Sequence, residues 1–222
     1  MPTTTRRQML AGAALSGLAP LALAGAAAAA ETGLRLAFER HAVFFSKETH
    51  QPRWLDPQAF VFDPAVAAAV GPQGIHHVAG YRPAWVAGPF NVGVSNAEGK
   101  PLGFTLADWF GARGEVLIEP MGAGSRVTCR FTRLRPNGVY DLFENHFDQK
   151  PVGFTPLDST GHSNNFVADA NGTATIAVRT PQRMTHANAV LLVYHSDNKT
   201  HGMLRGPIGV TAHHQLIARL PA

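Results

Sequence analysis

Hydrophobic and polar positions alternate along most of this chain, and a period of two dominates from residue 34 onward. Leu34, Leu36 and Phe38 alternate with Arg35, Ala37 and Glu39, which predicts a first strand running on into Val43-Phe44-Phe45. Phe60-Val61-Phe62 predicts a short strand, and residues 90–95 another, stopped by the turn residues Asn96-Ala97-Glu98-Gly99. Strands over 115–119 and 126–134 follow, separated by Met121-Gly122-Ala123-Gly124. Arg135-Pro136-Asn137-Gly138 is a strong turn signal, because proline presets φ and glycine tolerates a positive one. It predicts a hairpin between 126–134 and 139–147. A second predicted hairpin joins 165–169 to 173–178 through Ala170-Asn171-Gly172. Residues 189–194 form a continuous apolar run, suited to a strand buried on both faces, and 214–220 close the chain. Helix is expected only as a turn or two over 64–70 and over 106–110, the latter with Thr105 as N-cap.

Eight to ten short strands with turns between them predict an all-β fold, a single antiparallel β-sandwich of immunoglobulin-like or jelly-roll type. A closed β-barrel is the alternative. The 22 glycines and 16 prolines are spread along the chain instead of pooling in a linker, so residues 31–222 are expected to be one β-sandwich domain. Charged residues make up only 15%, against the ~25% usual in soluble domains, as suits a turn-rich chain with few long helices.

Residues 1–30 break the pattern. Arg6 and Arg7 precede a modestly apolar run, and Ala26-Ala27-Ala28-Ala29-Ala30 offers a small-residue cleavage site, the layout of a secretory signal peptide. The arginine pair after Thr5 resembles a twin-arginine (Tat) signal. That resemblance implies an exported bacterial protein that partners the Tat machinery, leaves the cytoplasm already folded and ends in the periplasm or outside the cell. The run from Met9 to Ala30 is mostly Ala and Gly and is broken by Pro20, so it is not expected to span a membrane. No later segment approaches the ~20 apolar residues a span needs, so the mature chain is expected to have no transmembrane segment. Without the two signal arginines, 17 basic residues face 15 acidic ones. The densest basic set, Arg126, Arg130, Arg133 and Arg135, falls on or just after one strand and reads as a solvated face. With no basic patch beside aromatic or helical readers, nucleic acid is not an expected partner.

Histidine is the one reactive residue type in excess: all 11 lie after residue 30. His146 and His195 end predicted strands, His201 follows the loop 196–200, and His213 and His214 are adjacent, so their side chains point to opposite faces. His146, His195, His201 and His214 are therefore candidate ligands for copper or zinc, which imidazole suits and which folding before export would allow to be loaded in the cytoplasm. The competing reading is of strand-end histidines bonded to carbonyls and loop side chains, since no H-x-H or H-E-x-x-H spacing occurs. Cys129 is the only cysteine, so no intramolecular disulfide forms, and its alternation with Val127 and Phe131 marks a small buried hydrophobe. Gly161-His162-Ser163-Asn164-Asn165 begins like a hydrolase elbow but lacks the second glycine and reads as a polar loop. Trp54 and Trp85, beside Pro-rich loops, are candidate ligand-binding residues that stack on sugars or cations; the alternative is that they seal the core. These features predict an exported cell-envelope β-sandwich acting as a binding or structural module for a small ligand or envelope partner. The alternative is a His-ligated copper or zinc metalloprotein, with redox activity as an option, and no motif commits the chain to an enzyme class.

Overall fold

Across residues 33–222, the part of the chain that the computed structural model describes, the period-two pattern becomes sixteen short strands. The signal-like segment with Arg6 and Arg7 lies outside the described residues. One sheet has the order β1 (Leu34–Ala37), β9 (Arg113–Met121), β10 (Gly124–Thr132), β14 (Ala174–Thr180). A second runs β12 (Gly153–Pro156), β11 (Val139–His146), β15 (Asn188–His195), β16 (Ala212–Arg219), β2 (Glu39–Arg40), with β13 (Asn165–Val167) also on β11. A third runs β6 (Tyr81–Trp85), β3 (Leu55–Phe62), β7 (Gly93–Ser95), β8 (Pro101–Thr105), and β4 (Ala69–Val70) with β5 (His76–His77) makes a small ribbon. The sheets are antiparallel and none closes into a barrel, so the sandwich expectation holds and the barrel alternative does not.

The alternation explains the layers. Val116, Ile118, Val127, Cys129, Phe131 and Val178 of the first sheet pack against Tyr140, Leu142, Val190, Leu192 and Tyr194 of the second, while Arg126 and Arg130 face solvent. The third sheet adds Ala59, Val61, Leu102 and Phe104 to the same core. Cys129 is fully buried there, and burial pushes its thiol pKa up, so it is a packing residue. The other face of the second sheet is covered too: Phe143, Leu191, Val193 and Ile217 pack with Phe44, Phe147 and Phe154. All eight residues of β15 are buried, as its apolar run predicts.

Three local expectations are corrected. The first strand does not run on into Val43-Phe44-Phe45, because residues His41–Glu48 form helix α1. His41, Phe44 and Phe45 fall at i, i+3 and i+4, so one helical face buries them together, and a short apolar run does not distinguish the two periods. Residues 64–70 form a turn and β4, not a helix. Both predicted hairpin turns form, but neither joins paired strands. β10 pairs β9 and β14, whereas β11 pairs β12, β13 and β15, so residues 135–138 carry the chain from one sheet to the other. The Arg135 N–H donates to the Tyr140 hydroxyl at 2.9 Å at this corner, and the Leu134 N–H donates to Gly172 O at 2.9 Å. The turn at 170–172, held by Asp169 Oδ1 accepting from Asn171 and Thr173 N–H, returns the chain to β14 on the first sheet. Turn residues encode a reversal of direction, not the sheet that receives the next strand.

Helix α2 (Leu106–Trp109) forms as expected, with Thr105 and Asp108 making a reciprocal capping box. It delivers Trp109 into the core, where Nε1 donates to Asp56 Oδ2 at 2.8 Å. No helix among the described residues is long and apolar enough to cross a membrane.

Tyr140 is fully buried and its hydroxyl pins the crossover, so Tyr140→Phe should cost about 1–2 kcal/mol, the typical loss when a buried donor is left unpaired. Urea denaturation should show a lower midpoint at unchanged slope.

Candidate functional site

The covered outer face of the second sheet carries polar residues among its apolar ones. Asp141 of β11 pairs with Val193 of β15, so His195, two residues on, projects from the same face as Asp141's diagonal neighbour. His195 Nε2 lies 3.0 Å from Asp141 Oδ2, and the two residues are 0% and 1% exposed. The approach lacks hydrogen-bond geometry. Neither Asp141 oxygen and neither His195 ring nitrogen has a hydrogen-bond partner among the described residues. Buried polar groups left this way cost stability, a buried carboxylate most of all.

The chain after β15 folds back over this pair. The Asn198 N–H donates to His195 O and the Lys199 N–H to Asp197 Oδ1, a tight turn that brings Asp197 and His201 alongside His195. His201 Nε2 is 3.1 Å from Asp197 Oδ2, and the His195 and His201 rings are 5.1 Å apart. One ligand atom from each of His195, Asp197 and His201 lies within 4.8 Å of the others. Gly206, at φ +79°, lets the chain pass His201 closely, since a Cβ there would sit 3.1 Å from the imidazole. Gly161 abuts the same turn, where a Cβ would meet the Gly202 carbonyl carbon at 2.4 Å.

That buttressing loop is the polar stretch 158–163, stapled by Asp158. Its carboxylate accepts from the N–H groups of Thr160, Gly161, His162 and Ser163 and from the hydroxyls of Thr160 and Ser163. Burial pushes its pKa up, but the hydrogen bonds from Thr160, Ser163 and Gly161 outweigh that and hold it well below the usual carboxylate range. Ser163 Oγ is thus spent on Asp158, in keeping with a structural loop.

Of the four histidines the sequence singles out as metal ligands, the fold unites His195 and His201. His146 lies at the far end of the sheet: β11 and β15 are antiparallel, so two strand-terminal histidines sit at opposite ends, roughly 20 Å apart along the strand. His146 instead contacts Thr155 Oγ1 at 2.9 Å and Asn188 Nδ2 at 3.4 Å. His214 shares the covered face, but Gln58 Nε2 (3.1 Å), His41 Nε2 (3.4 Å) and Arg205 Nη1 (3.1 Å) occupy its ring nitrogens. His213 points the other way, as expected, to Gln58 O at 2.9 Å and Ser196 Oγ at 3.3 Å. Asp141 and Asp197 escape the sequence reading as members of the cluster. The spacing of Asp197 and His201, four residues apart just after a buried strand, is the signal that points to one of them.

The tryptophans divide differently. Trp85 carries the guanidinium groups of Arg53 and Arg82, 3.9 and 3.4 Å from its ring centre, so its π-face is already in use. Trp54 is 46% exposed. Compared with models of known protein families, with curated proteins and with solved structures, the chain matches none.

Three histidines are held neutral. Burial, with Arg205 adding to it, lowers His41 to about 3; burial lowers His213 to about 4 against its hydrogen bond to Gln58; burial and then His41 hold His214 well below the usual imidazole value. Each takes up a proton more readily when unfolded, so its contribution is complete above about pH 6.5 and is lost as pH falls toward 4. Asp56, raised by burial to about 6 against the Trp109, Gln58 and Ala59 hydrogen bonds, offsets one of the three protons below pH 6. Glu144, also raised by burial, offsets a further part, so stability should fall between pH 6 and 4.5 with a slope of at most roughly 3 kcal/mol per pH unit, the limit for two net protons. Urea midpoints measured at pH 7.5, 6 and 5 check this, and a flat profile contradicts it.

Proposed function

We propose that this chain is an exported binding protein of the bacterial cell envelope whose ligand is a divalent transition-metal ion, zinc or copper, held by His195, Asp197 and His201. The observation that carries the reading is the buried pair Asp141 and His195, with all four polar side-chain atoms lacking a hydrogen-bond partner among the described residues. A metal-ligating histidine commonly sets its second ring nitrogen against a carboxylate, which fixes the ring and raises its basicity. Asp141 Oδ2, 3.0 Å from His195 Nε2, is near enough to take up that relation once the ring turns to align the hydrogen bond, which would leave Nδ1 for the ion.

Two imidazoles and a carboxylate suit zinc or copper(II), and three protein ligands leave one position for water or another molecule. Bonds of ~2.0–2.2 Å need the ligand atoms about an ångström closer than their present span, within reach of small side-chain rotations. Cys129, in the core, does not contribute a thiolate. The two carboxylates, Asp141 and Asp197, balance a divalent ion. The twin-arginine-like N-terminus supports the same reading, because a protein folded before export carries the metal it acquired in the cytoplasm to the periplasm or cell exterior.

Titration of EDTA-treated protein with Zn²⁺ and Cu²⁺, followed by calorimetry, tests this. One equivalent should bind; His195→Ala and His201→Ala should each abolish stoichiometric binding, and Asp141→Asn should weaken it about ten- to a hundredfold. His146→Ala should bind as the parent does. Loss in His146→Ala equal to that in His195→Ala, or no binding by the parent, overturns the reading.

A further inference from the structure

We propose that the cavity beside His201 binds a small organic carboxylate with an apolar body, its carboxylate paired with Arg205. The cavity measures about 630 Å³, within the ~300–1,000 Å³ of small-molecule sites. Phe143, Phe154, Met203 and Leu204 supply apolar wall, and Arg205 and His201 supply the polar edge.

Arg205 is a cation without a counter-charge among the described residues. It is half-buried, stacks on Phe154 with its guanidinium carbon 3.4 Å from the ring centre, and donates from Nη1 to His214 Nε2 at 3.1 Å. No carboxylate among the described residues lies within ion-pair distance of it. The imidazoles beside it, His41 and His214, are neutral, in part through Arg205's own charge. Burial lowers the guanidinium only to about 10, so it stays charged at neutral pH. Asp141 and Asp197 belong to the His195 cluster, which leaves Arg205 as the uncompensated charge on this face.

Several features select the ligand. Nη1 is engaged by His214 and the plane is fixed by Phe154, so the free edge of a single guanidinium presents paired donors suited to a carboxylate. A phosphate dianion asks for more donors and more charge than one such edge supplies. The apolar wall favours an aromatic or aliphatic body, and Met203 and Leu204, 55% and 72% exposed, lie where that body would cover them. The inference goes beyond the metal reading and does not require it, although His201 borders both sites.

Calorimetric titration of the EDTA-treated protein with benzoate, benzamide and inorganic phosphate tests it. Benzoate should bind at least about tenfold more tightly than its neutral isostere benzamide and than phosphate, and Arg205→Met should lose at least about tenfold for benzoate only. Arg126→Met, on the solvated face, should leave benzoate binding unchanged. Equal binding of benzoate and benzamide, stronger binding of phosphate, no saturable binding of benzoate, or full affinity in Arg205→Met each overturns the proposal. Benzoate binding that appears only after Zn²⁺ is restored also overturns it, since the metal and not Arg205 would then hold the carboxylate. If Arg205→Met does not fold, the comparison of benzoate, benzamide and phosphate on the parent protein still decides.

Discussion

Burial of both faces of the second sheet is the constraint on which the rest of this structure depends. A sheet with one wet face leaves its polar side chains to water; this one cannot. α1, Phe147 and Phe154 cover the outer face, while the first and third sheets cover the inner one. Every ionisable side chain that β11, β15 and β16 place in that layer must be neutral, paired or bound to something else. His213 and His214 take the first two routes, and both meet Gln58. The pairing of β3 with β6 shifts between Asp56 and Phe60, and within that irregularity Gln58 turns toward β16. Its carbonyl faces His213 Nδ1, and its side-chain oxygen accepts the His214 N–H at 2.7 Å. One buried glutamine thereby docks the third sheet on the second and gives hydrogen-bond partners to two histidines that burial keeps neutral.

Asp141 and His195 do not fit this pattern. They are as buried as any residue in the layer, yet they touch each other without hydrogen bonds. His41 Nδ1, Asn145 Oδ1, Asn164 Oδ1, Thr211 Oγ1 and Gln215 Oε1 are also buried without partners, but among the described residues Asp141 and His195 are the side chains with both polar atoms unmet. Their unmet bonding capacity lies beside Asp197 and His201, the two side chains that the loop after β15 brings to His195. That coincidence of an unsatisfied buried pair with nearby ligand atoms carries the proposed metal site.

Much of the fold was legible from alternation alone. The fully buried β15, the solvated arginines of β10, the buried Cys129 and the Thr105 cap follow directly from residue pattern. What was not legible is which sheet each strand joins. Pro136-Asn137-Gly138 and Ala170-Asn171-Gly172 specify turns by local backbone preference, but the partner strand is chosen by long-range packing around Tyr140 and Leu134. The same gap governs the site. The sequence marks histidines at strand ends; antiparallel pairing puts His146 at the opposite end from His195, and the turn after β15 brings His201 to it. Asp141 and Asp197 acquire meaning only once β11 lies beside β15 and the following loop folds back.

X-ray absorption at the metal edge of the zinc- or copper-loaded protein tests the central claim most directly. The account predicts a first shell of nitrogen and oxygen at ~2.0–2.2 Å with the outer-shell scattering of two imidazoles, and no stoichiometric metal left to give that signal in His195→Ala or in His201→Ala. A sulfur shell, or a two-imidazole signal that survives both substitutions, would contradict it.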